Sequence, residues 1–357
     1  MESNQKIVVV GMSGGVDSSV SALLLKKQGY KVIGLHMKGE NPETREDDET
    51  RVRKLCSQLD IDLEVVDYSQ NMQLVKDYFV NEYLAGRTPN PCVVCNREVK
   101  FKPFIEFANK LGADYFATGH YARIEHNNGK HILKKAIDTD KDQSYFLCQL
   151  SQKQLEKALF PLGELTKQEV RRIAEENNLI SSKTKDSYDV CFIGSSKFKT
   201  FMESNYPEKA GDIVDIKTGG TVGKHTGISK YTIGQRKGLG VGGKSGSNGQ
   251  SWFVVKKDVK NNILYVSQGE GDALNSKALI SNNMNWLIKE PDENVIKAKA
   301  KFRYRQEDQE VLVYKLEKNK VRIEFEKPQR AVTVGQYAVL YNDDVCIGGA
   351  VIDEVIN

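Results

Sequence analysis

Three cysteines stand in sequence contexts that suit sulfur or metal chemistry. Cys92 and Cys95 form a Cys-x-x-Cys motif, and Cys191 follows much later in the segment YDVCFIG, which has the composition of a loop. A single motif of this kind fits half of a zinc site, a redox dithiol, or a sulfur-handling site that Cys191 completes. A tetrahedral zinc site needs four ligands, and the sequence has neither a second such motif nor a suitably spaced histidine pair. Spacing alone does not choose among these uses.

The other three cysteines are expected to be structural. Cys56 lies among leucines on a predicted helix, Cys148 follows an apolar pair, and Cys346 lies in a predicted strand. A buried cysteine of this kind behaves as a small hydrophobic residue. Six cysteines spread over 357 residues also do not indicate a disulfide framework.

The strongest local signal is a loop rich in glycine and serine, GMSGGVDS, between a β-branched run and a helical pattern. Adjacent glycines allow successive backbone N–H groups to converge on an anion, the serines add hydroxyl donors, and the following helix offers its positive end. The carboxyl end of a buried strand is also where doubly wound folds bind ligands. Asp17 either holds a magnesium ion or caps the helix. The loop consists of Gly11, Met12, Ser13, Gly14, Gly15, Val16, Asp17 and Ser18.

A second glycine-rich segment, GLGVGGKS at 238–245, matches the Walker A pattern letter for letter. A functional Walker A loop follows a buried strand and opens a helix. Here the segment follows Gln-Arg-Lys and precedes Gly-Ser-Asn-Gly, where a helix would start only at a high cost. We interpret the segment as a basic loop that could contact RNA phosphates, and not as an ATP site.

Alternating strands and helices in the first half predict the framework that positions these residues. Strands are expected at 6–10, 32–35, 63–66 and 115–118 with helices between them, which indicates a parallel sheet covered on both faces. A hairpin is expected over 121–136, and a capping box of Thr166 and Glu169 opens a later helix. Two prolines in TPNPCVVCN predict that the Cys-x-x-Cys motif lies on an extended loop and not on a helix.

The pattern changes after about residues 195–206, where glycines, short alternating runs and turn signals begin to dominate. The last part of the chain predicts a small all-β unit. We therefore predict a protein of the α/β class with three domains. They are a parallel-sheet domain at 1–200, a small central domain at 201–275 and a C-terminal β-domain at 276–357.

Composition fits a globular protein, with 39% hydrophobic and 28% charged residues. Because we find neither a signal-peptide pattern nor an apolar run near the roughly 18 residues of a membrane span, we expect a cytoplasmic protein. The net charge of +4 does not by itself indicate a nucleic-acid partner. Basic residues are clustered, however, with five and no acid over 224–244, and eleven against six acids over 295–330. Such stretches suit either a phosphate backbone or an ordinary solvated face.

Taken together, these residues resemble the tRNA-specific 2-thiouridylases (MnmA or TrmU) of the PP-loop ATP pyrophosphatase family. The resemblance implies a PP-loop domain of the Rossmann-like, HUP type, then a small central domain and a C-terminal β-barrel. The matching segments occur in family order and span nearly the whole chain: GMSGGVDSSV, GRTPNPCVVCNREVKF, ATGHYAR, KDQSYFL, DSYDVCFIG, YTIGQRKGLGVGG and RYRQ.

The resemblance implies that ATP binds with Mg²⁺ along Gly11 to Ser18, and that Met37 and Gly119 line the adenine end. The loop would hold the pyrophosphate and leave the α-phosphate open to attack by the 2-carbonyl oxygen of a uridine. Adenylation turns that oxygen into a good leaving group. Sulfur then attacks C2 and AMP leaves, giving 2-thiouridine at the wobble position, U34, of the tRNAs for Lys, Glu and Gln.

The resemblance also assigns roles to the cysteines. Cys95 matches the nucleophile, and Cys191 matches the residue that carries a persulfide, whose outer sulfur attacks the activated base. Cys95 then helps release the product by forming a disulfide with Cys191. A sulfur donor is implied, which is a sulfur-relay protein, a cysteine desulfurase or sulfide. Contacts with tRNA are implied for Asn90, Pro91, Cys92, His120, Lys141, Asp142, Gln143, Arg303, Tyr304 and Gln336.

Cys92 departs from the family pattern, because many members carry aspartate at this position. One hypothesis is that Cys92, Cys95 and Cys191 ligate a [4Fe-4S] cluster whose fourth iron binds hydrosulfide. The alternative is that Cys92 is a spectator and the persulfide route applies. The sequence leaves both routes open.

Two other functions fit part of the sequence. Another PP-loop ligase, of the amidotransferase type, would need an ammonia source, and we find no candidate glutaminase domain. An RNA-binding protein with an inactive ATP loop would be expected to lack Asp17, Ser18 or the cysteines, all of which are present. For the oligomeric state we assume a monomer.

Overall fold

The computed structural model describes residues 5–38, 45–127, 129–184, 190, 192–193, 198–241, 250–269 and 271–357. Its first part alternates strands and helices, as predicted. In chain order the elements are β1 (Ile7–Gly11), α1 (Val16–Lys27), β2 (Lys31–Lys38), α2 (Arg45–Leu59), β3 (Asp62–Asp67), α3 (Ser69–Leu84), α4 (Pro91–Val94), a π-helical segment (Cys95–Phe101), α5 (Lys102–Lys110), β4 (Tyr115–Ala117), β5 (Ala122–Asn127), β6 (Lys130–Lys135), α6 (Ser144–Leu147), α7 (Gln152–Lys157), β7 (Ala158–Leu159) and α8 (Lys167–Glu176).

Five of these strands form one parallel sheet in the order β3-β2-β1-β4-β7. Side chains along β1 alternate between two cores. Val9 packs in the cluster that contains Phe104 of α5, whereas Val8 and Val10 pack in the cluster that contains Val20 of α1. The sheet is therefore covered on both faces, as the near-continuous apolar run of β1 requires.

The second part of the chain is mostly β-structure. Its elements are α9 (Phe198–Asn205), β8 (Gly211–Asp215), β9 (Thr221–His225), β10 (Trp252–Asp258), β11 (Ile263–Gln268), β12 (Asn275–Trp286), β13 (Val295–Lys301), β14 (Gln309–Leu316), β15 (Lys320–Arg330), β16 (Tyr337–Asn342) and β17 (Val345–Ile356). Strands β8 to β11 form a four-stranded sheet in the order β10-β11-β8-β9.

Strands β12 to β17 close into a six-stranded barrel. The order is β12-β15-β14-β13-β16-β17, and β17 pairs with β12 to complete the ring. Strand β6 adds to the outside of this ring, because Lys134 pairs with Val345 on β17. The α/β part and the barrel also share one core, in which Tyr145 packs with Tyr337 and Tyr341. These features confirm the predicted fold class.

Several local predictions are confirmed. The hairpin of β5 and β6 turns at 127–130, and Gly129 has a positive φ of 75°. The Thr166 side chain accepts from the Glu169 N–H while the Glu169 carboxylate accepts from the Thr166 N–H, so the capping box is present. None of the helices in the described ranges is both long enough and apolar enough to cross a membrane.

The prediction of an extended loop around the Cys-x-x-Cys motif is wrong. A helix begins at Pro91 and continues through the π-helical segment into α5. Proline lacks a backbone N–H, but the first helical position has no partner for one, and the fixed φ of proline already suits a helix. The proline that indicated a loop therefore starts a helix, and Asn90 before it is extended, with φ −113° and ψ 91°.

One basic residue that was assigned to the surface is buried. Lys230 is only 5% exposed, and its ammonium donates to the Thr226 carbonyl (2.6 Å) and pairs with Glu203 (3.2 Å). The Lys230 ammonium therefore makes internal contacts and is not part of a basic surface. Arg236 and Lys237 are exposed, whereas the end of the Walker-like segment, at 242–249, lies outside the described residues. No strand immediately precedes this segment within the described range 231–241, which agrees with its interpretation as a loop.

Candidate functional site

The glycine- and serine-rich loop joins the carboxyl end of β1 to α1 and is held by its own serines. The Ser13 N–H donates to Ser18 Oγ (3.3 Å), the Gly15 N–H donates to Ser13 Oγ (3.4 Å), and the Ser18 hydroxyl donates to the Gly15 carbonyl (3.1 Å). Gly14 adopts a positive φ of 83°, which favours glycine. Gly15 is the N-cap residue of α1 and has no side chain that could accept from the first helical N–H groups. The first N–H groups of the helix thus remain available to an anion.

Asp17 in the first turn of α1 is tied to two residues from distant parts of the chain. The Lys167 ammonium lies 2.7 Å and 2.9 Å from the two carboxylate oxygens, and the Tyr121 hydroxyl donates to Oδ1 at 2.8 Å. Lys167 is 9% exposed and opens α8. The positive charge of Lys167 therefore compensates Asp17 at the edge of the anion-binding loop.

The two residues predicted at the adenine end lie beside this loop. A Cβ on Gly119 would lie 3.0 Å from the Asp17 carbonyl carbon and 3.1 Å from the Ser18 nitrogen, so a side chain here would require this turn of α1 to shift by a few tenths of an ångström. Met37 is half-buried at the end of β2. His36 precedes it and makes a hydrogen bond of 2.9 Å between Nδ1 and the Met12 carbonyl. The structure thus brings both predicted residues to the edge of the sheet that carries the loop.

The two described cysteines of the predicted sulfur site have different surroundings. Cys92 is exposed on α4, whereas Cys95, one helical turn later, is buried. Cys95 packs with Val75 and Val99, and Phe192 lies against the same cluster. Cys191 itself lies outside the described residues. Phe192, the next residue in the sequence, packs against the cluster that contains Cys95.

The segment before α4 is held by the barrel. The Gln336 side-chain amide donates to the carbonyls of Thr88 (2.9 Å) and Pro89 (3.1 Å), and the Thr88 N–H donates to the Val334 carbonyl (2.9 Å). Asn90 is buried at the end of this segment. The start of the Cys-x-x-Cys helix is therefore positioned by a domain that lies more than two hundred residues away in the sequence.

Of the other predicted tRNA contacts, Asp142 is buried within the α/β domain, whereas Lys141 and Gln143 on either side of it are half-buried. Asp142 accepts from the Ser144 hydroxyl (2.8 Å) and from the Ala136 N–H (3.0 Å), and burial raises its pKa. The Gln143 side chain accepts from the Tyr121 N–H at 2.9 Å. Lys141 is half-buried next to them. These residues fix the loop that leads into α6.

His120 lies in a pocket of aromatic rings. Its Nδ1 makes a 2.7 Å hydrogen bond with the Thr118 hydroxyl, and its ring lies 5.9 Å from Phe101 and 6.0 Å from Phe160. Burial, helped by the nearby charge of Lys100, lowers the pKa of His120 well below 6.5. The imidazole is therefore neutral at pH 7.

The barrel contributes Arg303 and Tyr304, which follow β13. Arg303 is exposed, whereas Tyr304 is half-buried with its ring 4.4 Å from that of Phe146. The structure thus places Tyr304 at the junction between the barrel and the α/β domain. Arg303 is the more accessible of the two to a large ligand.

The three cysteines predicted to be structural are buried, as expected. Burial raises the pKa of Cys56 to about 11 and also raises the pKa values of Cys148 and Cys346. A thiol with a raised pKa is a poor nucleophile at neutral pH, because the thiolate is the reactive form. These cysteines therefore do not compete with the predicted site.

Two basic residues at the loop were missed in the sequence. Lys167 stands directly after the predicted cap Thr166, and Arg51 of α2 lies against Gly14. Neither belongs to a recognisable nucleotide motif. A lysine at the start of a helix was the one available signal, because that position is unfavourable for a cation unless an anion lies nearby.

Comparison with known proteins identifies the family. Family models match residues 6–195 as a tRNA methyl transferase HUP domain, residues 199–268 as a tRNA methyl transferase PRC-barrel domain, and residues 276–352 as an aminomethyltransferase beta-barrel domain. The chain is 50% identical over 357 residues to tRNA-specific 2-thiouridylase MnmA of Alkaliphilus oremlandii (strain OhILAs), covering 98% of this chain and 97% of the relative.

A second relative agrees with the first. Over 360 residues the chain is 49% identical to tRNA-specific 2-thiouridylase MnmA 1 of Geobacillus kaustophilus (strain HTA426), covering 99% of this chain and 96% of the relative. Among solved structures, the U34-tRNA thiolase NcsA from Methanococcus maripaludis with its [4Fe-4S] cluster covers 57% of this chain and 67% of its own, at 22% identity and a TM-score of 0.37. Because two relatives of the same name match it over almost their full length, the chain belongs to the family of tRNA-specific 2-thiouridylases.

Proposed function

We propose that this protein uses ATP to replace the 2-carbonyl oxygen of the wobble uridine of tRNA with sulfur. The observation that carries the proposal is the full-length identity of about one half to 2-thiouridylases. The SGGVDS loop at the end of β1 and the buried thiol of Cys95 supply the two chemical functions that this reaction needs. Methyl transfer, which two of the family-model descriptions mention, does not require an ATP-binding loop.

The first step is adenylation of the base. The free N–H groups at the start of α1 and the hydroxyls of Ser13 and Ser18 would hold the pyrophosphate part of ATP. The uridine 2-oxygen attacks the α-phosphorus and pyrophosphate leaves, so that C2 carries a phosphate-linked oxygen. Gly119 packs against the first turn of α1, where a side chain would press on the backbone of the loop that holds the nucleotide.

The second step transfers sulfur. The outer sulfur of a persulfide on Cys191 attacks C2, and AMP leaves with the original oxygen. The Cys95 thiolate then attacks Sγ of Cys191, which breaks the sulfur–sulfur bond to the base and leaves 2-thiouridine. In this exchange the Cys95 thiol is oxidised and the transferred sulfur is reduced to the thiocarbonyl level, which leaves a Cys95–Cys191 disulfide that an external thiol must reduce before the next cycle. The packing of Phe192 near Cys95 supports the pairing of these two segments.

The described residues fit this thiol route better than an iron–sulfur cluster. One helical turn brings Cys92 and Cys95 close together, but a cluster held by both would have to reach Cys95, which is buried against Val75 and Val99, whereas Cys92 is exposed. We therefore propose that Cys92 is a spectator and that Cys95 and Cys191 carry the chemistry. The experiment below distinguishes this route from the iron–sulfur cluster route.

Magnesium would be held mainly by the phosphates of ATP. Asp17 is the acidic residue of the loop, but its two oxygens already accept from Lys167 and Tyr121. The carboxylate would need to exchange one of these partners to ligate a metal directly. We propose that Mg²⁺ enters with the nucleotide, a common mode for this cation.

The tRNA would approach the face where the barrel meets the α/β domain. In this proposal the barrel contributes Arg303 and Tyr304 to the junction. The α/β domain contributes the 88–92 segment and Lys141 to Gln143. The tRNAs for Lys, Glu and Gln, a sulfur-relay protein or desulfurase as donor, a cytoplasmic location and a monomeric state remain predictions.

The proposal is tested by anaerobic formation of 2-thiouridine on unmodified tRNA with ATP and a persulfide-loaded donor. Sulfide, which cannot form a persulfide on a thiol without an oxidant, is used in a parallel reaction that tests the cluster route. Wild type is compared with Cys92→Ala and Cys95→Ala, and Cys56→Ala serves as a control at a buried thiol outside the site. We expect product from wild type, Cys92→Ala and Cys56→Ala, and none from Cys95→Ala. Nucleoside mass spectrometry measures the product, and iron content and the visible spectrum are recorded for each protein.

Two results would contradict the proposal. If wild type forms no 2-thiouridine but releases pyrophosphate rapidly with a small amine acceptor, the protein is another PP-loop ligase. If Cys92→Ala loses both product and a visible iron–sulfur absorption that wild type shows, the cluster route replaces the persulfide route.

A further inference from the structure

Arg51 of α2 lies directly against the anion-binding loop. A Cβ built on Gly14 would lie 2.9 Å from Arg51 Nε and 3.5 Å from Arg51 Nη2. Gly14 has the left-handed backbone that opens the loop, so the guanidinium rests on its central turn. The contact connects α2 with the start of α1, two helices that pack on the same side of the sheet.

The guanidinium has an unsatisfied donor at this place. Its Nη2 pairs with Asp48, but Nε is buried and makes no hydrogen bond to any of the residues that the structure describes. Burying a donor without a partner is unfavourable, and native proteins rarely leave such groups unpaired. An acceptor that arrives with a ligand would satisfy it.

Charge balance at the loop points to the same ligand. Residues 11–18 contain one acid, Asp17, and no base, and Lys167 already compensates that acid. The triphosphate of ATP would thus meet backbone dipoles and hydroxyls in the loop itself, but no cation. Arg51 shares its charge with Asp48 through Nη2, but it brings a guanidinium with an unsatisfied Nε donor to Gly14, where the loop turns.

We propose that Arg51 binds the β- and γ-phosphates of ATP and closes the loop from the α2 side. This inference rests on the proposed function, because it requires ATP as the nucleotide. A guanidinium presents parallel N–H donors that match phosphate oxygens, and it remains charged when partly desolvated. Held there, Arg51 also stabilises the charge on pyrophosphate as it leaves. Arg51 lies beside the nucleotide loop but belongs to no recognisable sequence motif.

The test measures binding of ATP and of AMP to the full-length protein by calorimetry. Arg51→Ala and Arg51→Lys are compared with Arg53→Ala, a control two residues along α2 whose side chain is 57% exposed and pairs with Glu49. We expect Arg51→Ala to bind ATP about 10- to 100-fold more weakly, the usual range for lost hydrogen bonds to a charged group. Arg51→Lys should fall between, because it keeps the charge and loses the fork. AMP, which lacks the β- and γ-phosphates, should bind all four proteins within about twofold.

The outcomes separate this inference from the proposed function. If wild type and Arg51→Ala bind ATP equally well, the inference is wrong while the proposed function stands. If Arg51→Ala weakens AMP and ATP alike, or lowers the unfolding temperature while Arg51→Lys restores ATP binding no better than alanine, Arg51 is structural and the inference is again wrong. If wild type binds no ATP at all, the proposed function itself fails.

Discussion

The nucleotide end and the sulfur end of the proposed active site are assembled in different ways. The nucleotide loop is one continuous stretch, residues 11–18, which connects a buried strand to a helix and is held by its own serine hydroxyls. The sulfur end combines Cys95 on a helix, a segment near 191 that follows almost a hundred residues later, and a barrel side chain, Gln336, that holds the residues before the helix.

This difference has a chemical consequence. A loop closed by local hydrogen bonds keeps its geometry as long as β1 and α1 are folded. A site assembled from distant segments depends on how those segments dock, so a change at one of them can stop sulfur transfer and leave nucleotide binding intact. The comparison therefore predicts that the two half-reactions can be separated by mutation.

Cys95→Ser should separate them most strongly. The serine hydroxyl is nearly isosteric with the thiol but is a far weaker nucleophile, so we expect 2-thiouridine formation to fall more than about 1,000-fold. ATP binding should change less than about twofold, because the nucleotide loop does not depend on this residue. Single-turnover mass spectrometry of the tRNA and calorimetry with ATP provide the two measurements. Equal losses in both would show that the two ends are not independent.

Lys167→Met should damage the nucleotide end. It leaves the Asp17 carboxylate with Tyr121 as a partner and an uncompensated negative charge beside the triphosphate. We expect ATP affinity to fall about tenfold or more, and the free energy of unfolding to fall by about 1–2 kcal/mol. This is less than for a fully buried pair, because the Asp17 side chain is 34% exposed and solvent screens it.

Lys289→Met is the control for that change. Lys289 lies between β12 and β13 and pairs with Asp292 (3.0 Å), and the two side chains are 75% and 86% exposed. Surface pairs of this kind contribute little, so we expect unchanged ATP binding and less than about 0.5 kcal/mol of destabilisation. If both lysine variants behave alike in urea unfolding and calorimetry, the pair with Asp17 has no special role.

The same contrast explains what could be predicted from the sequence. Features specified by neighbouring residues were found: the strand and helix on either side of GMSGGVDS, the β5–β6 hairpin, and the capping box of Thr166 and Glu169. Each depends on local hydrogen bonds or on the period of apolar residues, both of which can be read from a short window.

The missed features depend on contacts between distant residues. Lys167 meets Asp17 and Arg51 meets Gly14 only after the sheet has brought their helices together. The pairing of β6 with β17 likewise needs the barrel in place. Pro91 was misinterpreted for a local reason, since proline is compatible both with an extended segment and with the first position of a helix.

Gln336→Leu should weaken the sulfur end moderately. The substitution removes the two hydrogen bonds to the carbonyls of Thr88 and Pro89 but keeps a side chain of similar size. We expect thiolation to fall about 5- to 10-fold, as the start of the Cys-x-x-Cys helix loses support worth roughly 1 kcal/mol per hydrogen bond. ATP binding should not change. The measurement is kcat and KM for tRNA, together with calorimetry for ATP.

The split between kcat and KM distinguishes two roles of Gln336. If it positions the helix, kcat falls; if it contacts tRNA directly, KM for tRNA rises instead. Gln5→Leu is the control, because its amide also donates to a carbonyl, that of Gly29, before β1. If the Gln336 variant is as active as the Gln5 variant, the barrel does not position the helix that carries Cys95.

His120 gives the smallest predicted effect. Its titration tests whether it belongs to the packed core near the nucleotide end or to the surface that faces tRNA. Its pKa is lowered by burial, so the unfolded chain binds a proton below about pH 6.5 that the folded protein does not. Its contribution to stability is therefore present above pH 6.5 and is lost as the pH falls below that value. Between pH 7.5 and 5.5 the loss should be on the order of 1 kcal/mol.

His120→Asn isolates this loss, because asparagine can replace the hydrogen bond of Nδ1 to Thr118 but does not titrate. The variant pays a packing penalty at every pH, so the quantity to compare is the change in unfolding free energy between pH 7.5 and 5.5, measured with urea. Other titrating groups are common to both proteins and cancel in the difference. A smaller change in the variant places His120 with the packed core near the nucleotide end. Equal changes would mean that His120 takes up a proton in the folded protein, which requires access to water and would place it on the surface that faces tRNA.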